Sequence, residues 1–399
     1  MEVRSRLNGL ASVPRSVWIL GCVSLFMDVS SEIVHSLLPM FMMVGLGASA
    51  ATIGLIEGIA EATAPIVKVF SGALSDHLGI RKWLAVAGYA LGALSKPLFA
   101  IAPTIDVVVS ARIIDRVGKG IRGAPRDALV ADVTPVHLRG AAFGLRQSLD
   151  SIGAFLGPLL AVVIMSLWAD NFRLAFWLAV IPGLLAVALL AFGIREPSRE
   201  PGARRMNPVS LDNLRNLGSS YWWVVVIGAG FALARFSEAF LVLRAMGSGV
   251  PVALVPLLLV AMNIVYALSA YPFGKLADTM NPVKLLIAGL VVLIASDVVL
   301  AHGAHWSVVL LGVALWGLHM GMTQGLLATM VSHTAPAQLR GTAFGFFNLF
   351  SGTVTLASSV IAGELWDKLG AAATFHAGAA FSLATIALLL SGKAPHGRP

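Results

Sequence analysis

The sequence predicts an all-α membrane protein: twelve transmembrane helices in two pseudo-symmetric six-helix halves. Three observations carry this, namely an apolar composition, twelve runs of membrane-spanning length, and a repeat that relates the two ends of the chain. Of 399 residues, 57% are hydrophobic and 12% charged, against about 25% charged in an ordinary soluble domain. Mean hydropathy is +0.85. Such a chain is neither disordered, nor a disulfide-rich secreted module, nor a soluble nucleic-acid binder. Its one cysteine, Cys22, cannot form an intramolecular disulfide.

A helix crosses the hydrocarbon core in roughly 20 residues. Runs of about that length lie at 16–40, 52–75, 83–102, 107–131, 140–167, 173–193, 221–245, 252–277, 283–301, 306–330, 341–363 and 371–391. The first is longer than a signal-peptide core, carries Asp28 and Glu32, and lacks a small-x-small cleavage site. It is expected to be a retained first span. The longest connection, Gly193 to Ser220, is rich in Arg, Pro and Asn. The expected organisation is an N-terminal half 1–193, a cytoplasmic linker 194–220 and a C-terminal half 221–399.

The basic residues orient these spans. With the N-terminus cytoplasmic, 16 of the 28 Lys and Arg fall in cytoplasmic segments, including Arg4, Arg6, Arg15, Arg81, Lys82, Arg139, Arg195, Arg199, Arg204, Arg205 and Arg340. Only Arg173 and Lys368 fall on the opposite side. This asymmetry predicts an integral protein of the inner (cytoplasmic) membrane with both termini inside. The net charge of +8 is then mainly an orientation signal, and no nucleic-acid partner is expected.

The halves also match each other. Gly72-Ala-Leu-Ser-Asp76 closes the second span, and Gly274-Lys-Leu-Ala-Asp278 closes the eighth, 202 residues on. Pro135-Val-His-Leu-Arg139-Gly140-Ala-Ala-Phe143-Gly144 opens the fifth, and Pro336-Ala-Gln-Leu-Arg340-Gly341-Thr-Ala-Phe344-Gly345 opens the eleventh, 201 residues on. Ser31-Glu32 and Ser237-Glu238 follow the same order at 206. Three matches at nearly one spacing indicate duplicated halves, with a transport path between them.

On these residues the chain resembles a transporter of the major facilitator superfamily. The segment Gly72-Ala-Leu-Ser-Asp76-His-Leu-Gly79-Ile-Arg81-Lys82 resembles that family's signature between its second and third helices; around Asp278 the signature is degraded. The resemblance implies a latch that closes the cytoplasmic side, in which Asp76 needs a partner such as Arg81, Arg139 or the start of the span that Arg340 opens. Gly153-Ala-Phe-Leu-Gly157-Pro158-Leu-Leu-Ala161 resembles the motif of the exporting, proton-antiporting branches, with Ala161 where Gly is favoured. Glycines four apart allow close helix approach, and Pro158 removes a backbone hydrogen bond.

Ionisable residues inside a membrane are costly and are default functional candidates. The first half carries seven acids (Asp28, Glu32, Glu57, Glu61, Asp115, Asp127, Asp150) and eight bases (Lys68, Lys96, Arg112, Arg116, Lys119, Arg122, Arg126, Arg146) in its spans. The second half carries only Arg235, Glu238, Arg244 and Asp297. Asp28, Glu32 and His35 share one helix face, as do Glu57 and Glu61. Arg112 stands where the family often has a base in its fourth helix, whereas Asp115 and Arg116 replace an expected Gln and Gly. The near-neutral set reads either as static ion pairs or as pairs that exchange partners when a proton enters. Asp28 and Glu32 are the leading proton carriers. Arg112, Arg116, Arg126, Asp127, Arg235 and Glu238 complete the candidates for coupling and substrate.

Gly118-Lys-Gly-Ile-Arg122-Gly-Ala-Pro125-Arg126-Asp127 contains three glycines and a proline. It lacks the P-loop pattern and is expected to be a flexible, basic gate. There is no HExxH, so no metal or other cofactor is expected, although His35 with Asp28 and Glu32 could bind a divalent cation. The expected function is secondary active transport, not enzymology. A small molecule, drug or metabolite, would be exported by alternating access in exchange for protons, by a monomer embedded in lipid. A divalent cation or organic anion as substrate remains an alternative, and a non-transporting membrane sensor a more distant one.

Overall fold

The computed structural model describes residues 13–135, 138–196, 217–277, 280–336 and 339–391. Among these there are thirteen α-helices and no strand. Six belong to the first half: α1 Arg15–Met40, α2 Ala50–Leu78, α3 Arg81–Ile101, α4 Ile105–Asp132, α5 Arg139–Leu167 and α6 Phe172–Gly193. Then come α7 Ser219–Ala234, α8 Ala239–Met246, α9 Pro256–Ala277, α10 Pro282–His302, α11 Trp306–Thr334, α12 Arg340–Leu369 and α13 Ala371–Ser391. Helices are the natural answer to a bilayer, because every backbone polar group is satisfied within its own segment.

Among the described residues, ten helical segments are long and apolar enough to cross a membrane. The helices that fall short are α2 and α4, which carry Glu57, Glu61 and Lys68, and Arg112 through Asp132. Their length, 29 and 28 residues, is nonetheless that of a span.

The seventh predicted span is two helices. The chain leaves helical geometry between Ala234 and Ala239. Side chains repair the broken ladder: Ser237 N–H donates to Ser359 Oγ (3.2 Å), and Ala239 N–H donates to Ser237 Oγ (3.2 Å). The segment 118–127, expected to be a flexible, basic part of the fourth span, is continuous α-helix within α4. Its glycines serve contact. A Cβ on Gly118 would stand 2.7 Å from the Gly88 carbonyl oxygen, so α3 and α4 pack backbone to backbone there.

By packing, the chain forms two compact units. Unit 1 holds residues 1–37 and 63–206, and unit 2 holds 38–62 and 207–399. Segment 38–62, on the first-half side of the sequence repeat, packs with the second unit. Within unit 2 the N-terminus of α2 is held by Asp367, whose carboxylate accepts from Ala50 N–H (3.0 Å) and Ala51 N–H (2.9 Å). That placement complements the positive end of the helix dipole.

Candidate functional site

Unit 1 buries an ionic cluster beside its apolar core. Asp115 of α4, 2% exposed, is its hub. Lys96 Nζ lies 2.6 Å from its Oδ1, Arg116 NH2 3.1 Å from its Oδ2, and Arg112 NH1 4.0 Å from its Oδ2. Ser95 Oγ donates to Asp115 at 3.4 Å, and Lys96 reaches Ser31 Oγ at 3.3 Å. Arg122 stacks over the Tyr89 ring, 5.0 Å from its centroid. The acid at 115 and base at 116, where the family resemblance led one to expect Gln and Gly, thus form one buried, charge-assisted cluster.

A second cluster joins α1, α2, α4 and α5. Arg126 NH2 lies 3.2 Å from Asp127, and its NH1 lies 3.7 Å from Asp150 and 3.3 Å from Ser24 Oγ. Arg146 is 3.5 Å from the same Asp150 oxygen, and Lys68 is 3.3 Å from Asp127. Asp150 in turn lies close enough to Asp28 for the two carboxyl groups to interact. Two carboxyls in contact can share a proton but not two full negative charges.

The glycines of α5 make this meeting possible. A Cβ on Gly153 would stand 2.9 Å from Asp28 Cβ and 2.6 Å from the Leu25 carbonyl oxygen. On Gly157 it would stand 2.5 Å from Glu32 Cβ. Pro158 follows within continuous helix. One turn along α1, Glu32 Oε2 lies 3.4 Å from His35 Nδ1, and both side chains are partly exposed. The exporter-like motif therefore packs directly on the two acids singled out as proton carriers.

At the end of α2, Gly79 adopts φ +70° and closes the helix by donating its N–H to Ser75 (3.0 Å). Gly72 approaches Ala124 of α4, where a Cβ would stand 3.2 Å from the alanine methyl. Arg81 is paired with Asp132. Glu196 caps α3: its carboxylate accepts from the backbone N–H of Arg81 (2.8 Å) and of Lys82 (3.0 Å). Arg139 is exposed at the start of α5. Asp278 lies outside the described residues, as do the side chains of Asp76 and Arg340.

Unit 2 contains the other candidates. Glu57 is fully buried and Glu61 partly buried on its α2 segment. Arg235 and Glu238, both half-buried, flank the break between α7 and α8. Phe236, inside that break, packs against Phe240, Trp316 and Phe375 at ring-centroid distances of 5.4, 5.5 and 5.6 Å. Trp316 is fully buried in this aromatic core.

Sequence reasoning noted Asp115 only as a departure from the family pattern, and did not single out Lys96, Asp150 or Asp297 from the other intramembrane charges. A signal existed. Lys96 and Asp297 stand 201 residues apart, as do Asp115 and Trp316, which is the spacing of the repeat at Arg139 and Arg340.

The match to known proteins agrees with this architecture. Residues 20–359 match the family model of the Major Facilitator Superfamily. The chain belongs to that superfamily. An uncharacterised MFS-type transporter of Methanocaldococcus jannaschii is 30% identical over 387 residues, 94% of each chain. The quinolone resistance protein NorA of Staphylococcus aureus is 23% identical, over 84% of this chain and 86% of its own. A crystal structure of the nucleoside transporter NupG superposes with a TM-score of 0.81 at 12% identity, over 94% of this chain and 99% of that one. As a superfamily member this chain is a membrane-embedded transporter for a small-molecule substrate.

Proposed function

We propose that this transporter exports a small amphipathic organic molecule in exchange for protons. The observation that carries the reading is the seat of Asp28 and Glu32 against Gly153 and Gly157, beside the Arg126–Asp150–Arg146 cluster. The quinolone resistance protein among its relatives supports export of such compounds. The driving force is a proton gradient, with no cofactor and no covalent chemistry. The protein works as a monomer in the cytoplasmic membrane, with both termini inside.

The chemistry is an exchange of partners. A proton delivered to the Asp28–Asp150 pair neutralises part of the charge that Arg126 and Arg146 hold. Both cations then turn to their other partners, Asp127 and Gln147, already within reach at 3.2 and 2.8 Å. Loss of the proton restores the first arrangement. Because α1, α4 and α5 all contribute, a change in pairing alters how these helices pack. Glu32 and His35 provide a second exchangeable pair on the same face of α1.

Proteoliposomes with an imposed pH gradient test the reading, using a quinolone, a divalent cation and an organic anion as a panel. The quinolone should accumulate against its gradient with counterflow of protons. In Asp28→Asn, downhill exchange should persist while the response to pH is lost. Uptake that keeps its full pH response in both Asp28→Asn and Glu32→Gln would overturn it, and movement of the cation or anion alone would replace the substrate class.

A further inference from the structure

Asp297 sits in the C-terminal part of α10, five residues before its end at His302, and is 0% exposed. Neither carboxyl oxygen has a hydrogen-bond partner among the described residues. The groups brought toward it can be named. Helix α13 contributes Gly378, and a Cβ there would stand 2.8 Å from Asp297 Oδ2. On the same face one turn on is Ser382, whose hydroxyl also has no partner among the described residues. The nearest histidine of α13, His376, lies against His302 at a ring-centroid distance of 5.4 Å. Helix α11 contributes Trp316 and His319; His319 Nδ1 bonds the Gly289 carbonyl at 2.8 Å. From the break between α7 and α8 comes Phe236, whose ring would stand 3.0 Å from that same Cβ on Gly378, with half-buried Arg235 and Glu238 beside it. None of these groups forms an ion pair with Asp297.

A lone carboxylate in such a place is far costlier than the acid. A metal ion would need several ligand atoms, and the other unpartnered polar atom named on this face is the single Ser382 hydroxyl. A proton needs no further ligand. We propose that Asp297 is a proton-binding site of unit 2, separate from the acids of unit 1, and that Phe236 is the cover through which the proton passes. The proton binds one carboxylate oxygen to give the neutral acid, and no other bond changes. Phe236 occupies the non-helical stretch of this span, where backbone rearrangement is easiest, and its ring lies against the same Gly378 position that Asp297 approaches.

A role for Asp297 in transport rests on the proton-coupled reading above, but the site itself is tested without transport. Infrared spectra of the full chain in lipid at neutral pH should contain the carbonyl stretch of an unbonded carboxylic acid, slow to shift in heavy water. The band should be lost in Asp297→Asn and kept in Asp28→Asn, and Phe236→Ala should speed its shift several-fold. An unchanged band in Asp297→Asn overturns the proposal. Should that variant fail to fold, the unmutated chain carrying heavy carbon at its aspartate carboxyls decides. No isotope-shifted band at the unbonded position overturns the site, and a shifted band supports it. A chain that moves no protons yet shows the band would sink the exporter reading and leave Asp297 standing.

Discussion

Lys96 and Asp297 occupy matching places in the two halves, 201 residues apart, each preceded by a serine. Lys96 meets Asp115 at 2.6 Å. The residue matching Asp115 is Trp316, and the one matching Arg116 is Gly317. So the first half fills this part of its interior with charge around one acid. The second fills it with aromatic rings around an acid that has no cation among the described residues. The same helix pairs, α3 with α4 and α10 with α11, pack in both cases. A duplicated scaffold fixes where helices meet, and leaves open whether ions or rings hold the meeting point.

This contrast can be broken in measurable ways. The largest effect is expected for Asp115→Leu, which strands Lys96, Arg116 and Arg112 without their shared counter-ion. Breaking a buried pair by removing one partner costs about 3–5 kcal/mol, and thermal unfolding in detergent should show a loss of that size. A loss under about 1 kcal/mol would mean the cluster is solvated and the contrast with unit 2 is false.

Next come two arginines that should behave alike. Arg173 donates to the carbonyls of Ala100 (3.0 Å) and Ala102 (2.9 Å), closing α3. Arg244 donates to Leu300 (2.7 Å) and Ala301 (3.2 Å), closing α10. Each satisfies carbonyls at the negative end of a helix dipole. Arg173→Ala and Arg244→Ala should each cost about 1.5–3 kcal/mol in the same assay. Unequal losses would show that the halves differ at their ends as well as in their cores.

The smallest effect is expected for Asp297→Leu. With no partner left stranded, exchange of an isolated acid for an apolar group of similar size should shift stability by no more than about 1 kcal/mol, and it can stabilise. A loss comparable to that of Asp115→Leu would reveal a partner for Asp297.

Much of the fold was legible in the residues. The ends of α5, α6 and α13 differ from the predicted spans 140–167, 173–193 and 371–391 by at most one residue, because an apolar run of membrane length is a local property. The candidate site was legible as a population: the sequence showed that charges crowd the first half, and that Gly153 and Gly157 could admit a neighbour. It did not show that the neighbour is α1 at Asp28 and Glu32, nor that Asp115 serves three bases while Asp150 faces Asp28. Those pairings depend on which helix faces meet, and fifteen ionisable residues on a handful of helices admit many partitions. The break at Arg235–Glu238 was hidden for a related reason. Composition there is compatible with helix, and the opening exists because Ser359, 122 residues away, takes the freed backbone N–H.

The sequence by itself therefore determined the solvent of this protein, the number and length of its spans and their twofold repeat, since hydropathy and repetition are written along the chain. Tertiary structure alone decided which neighbours the glycines of α4 meet, and that segment 38–62 packs with the second unit. It alone decided that Lys96 has a counter-ion where Asp297, among the described residues, has none. The reason is that an ion pair or a close backbone approach is a property of two surfaces meeting, and each surface carries only half of it.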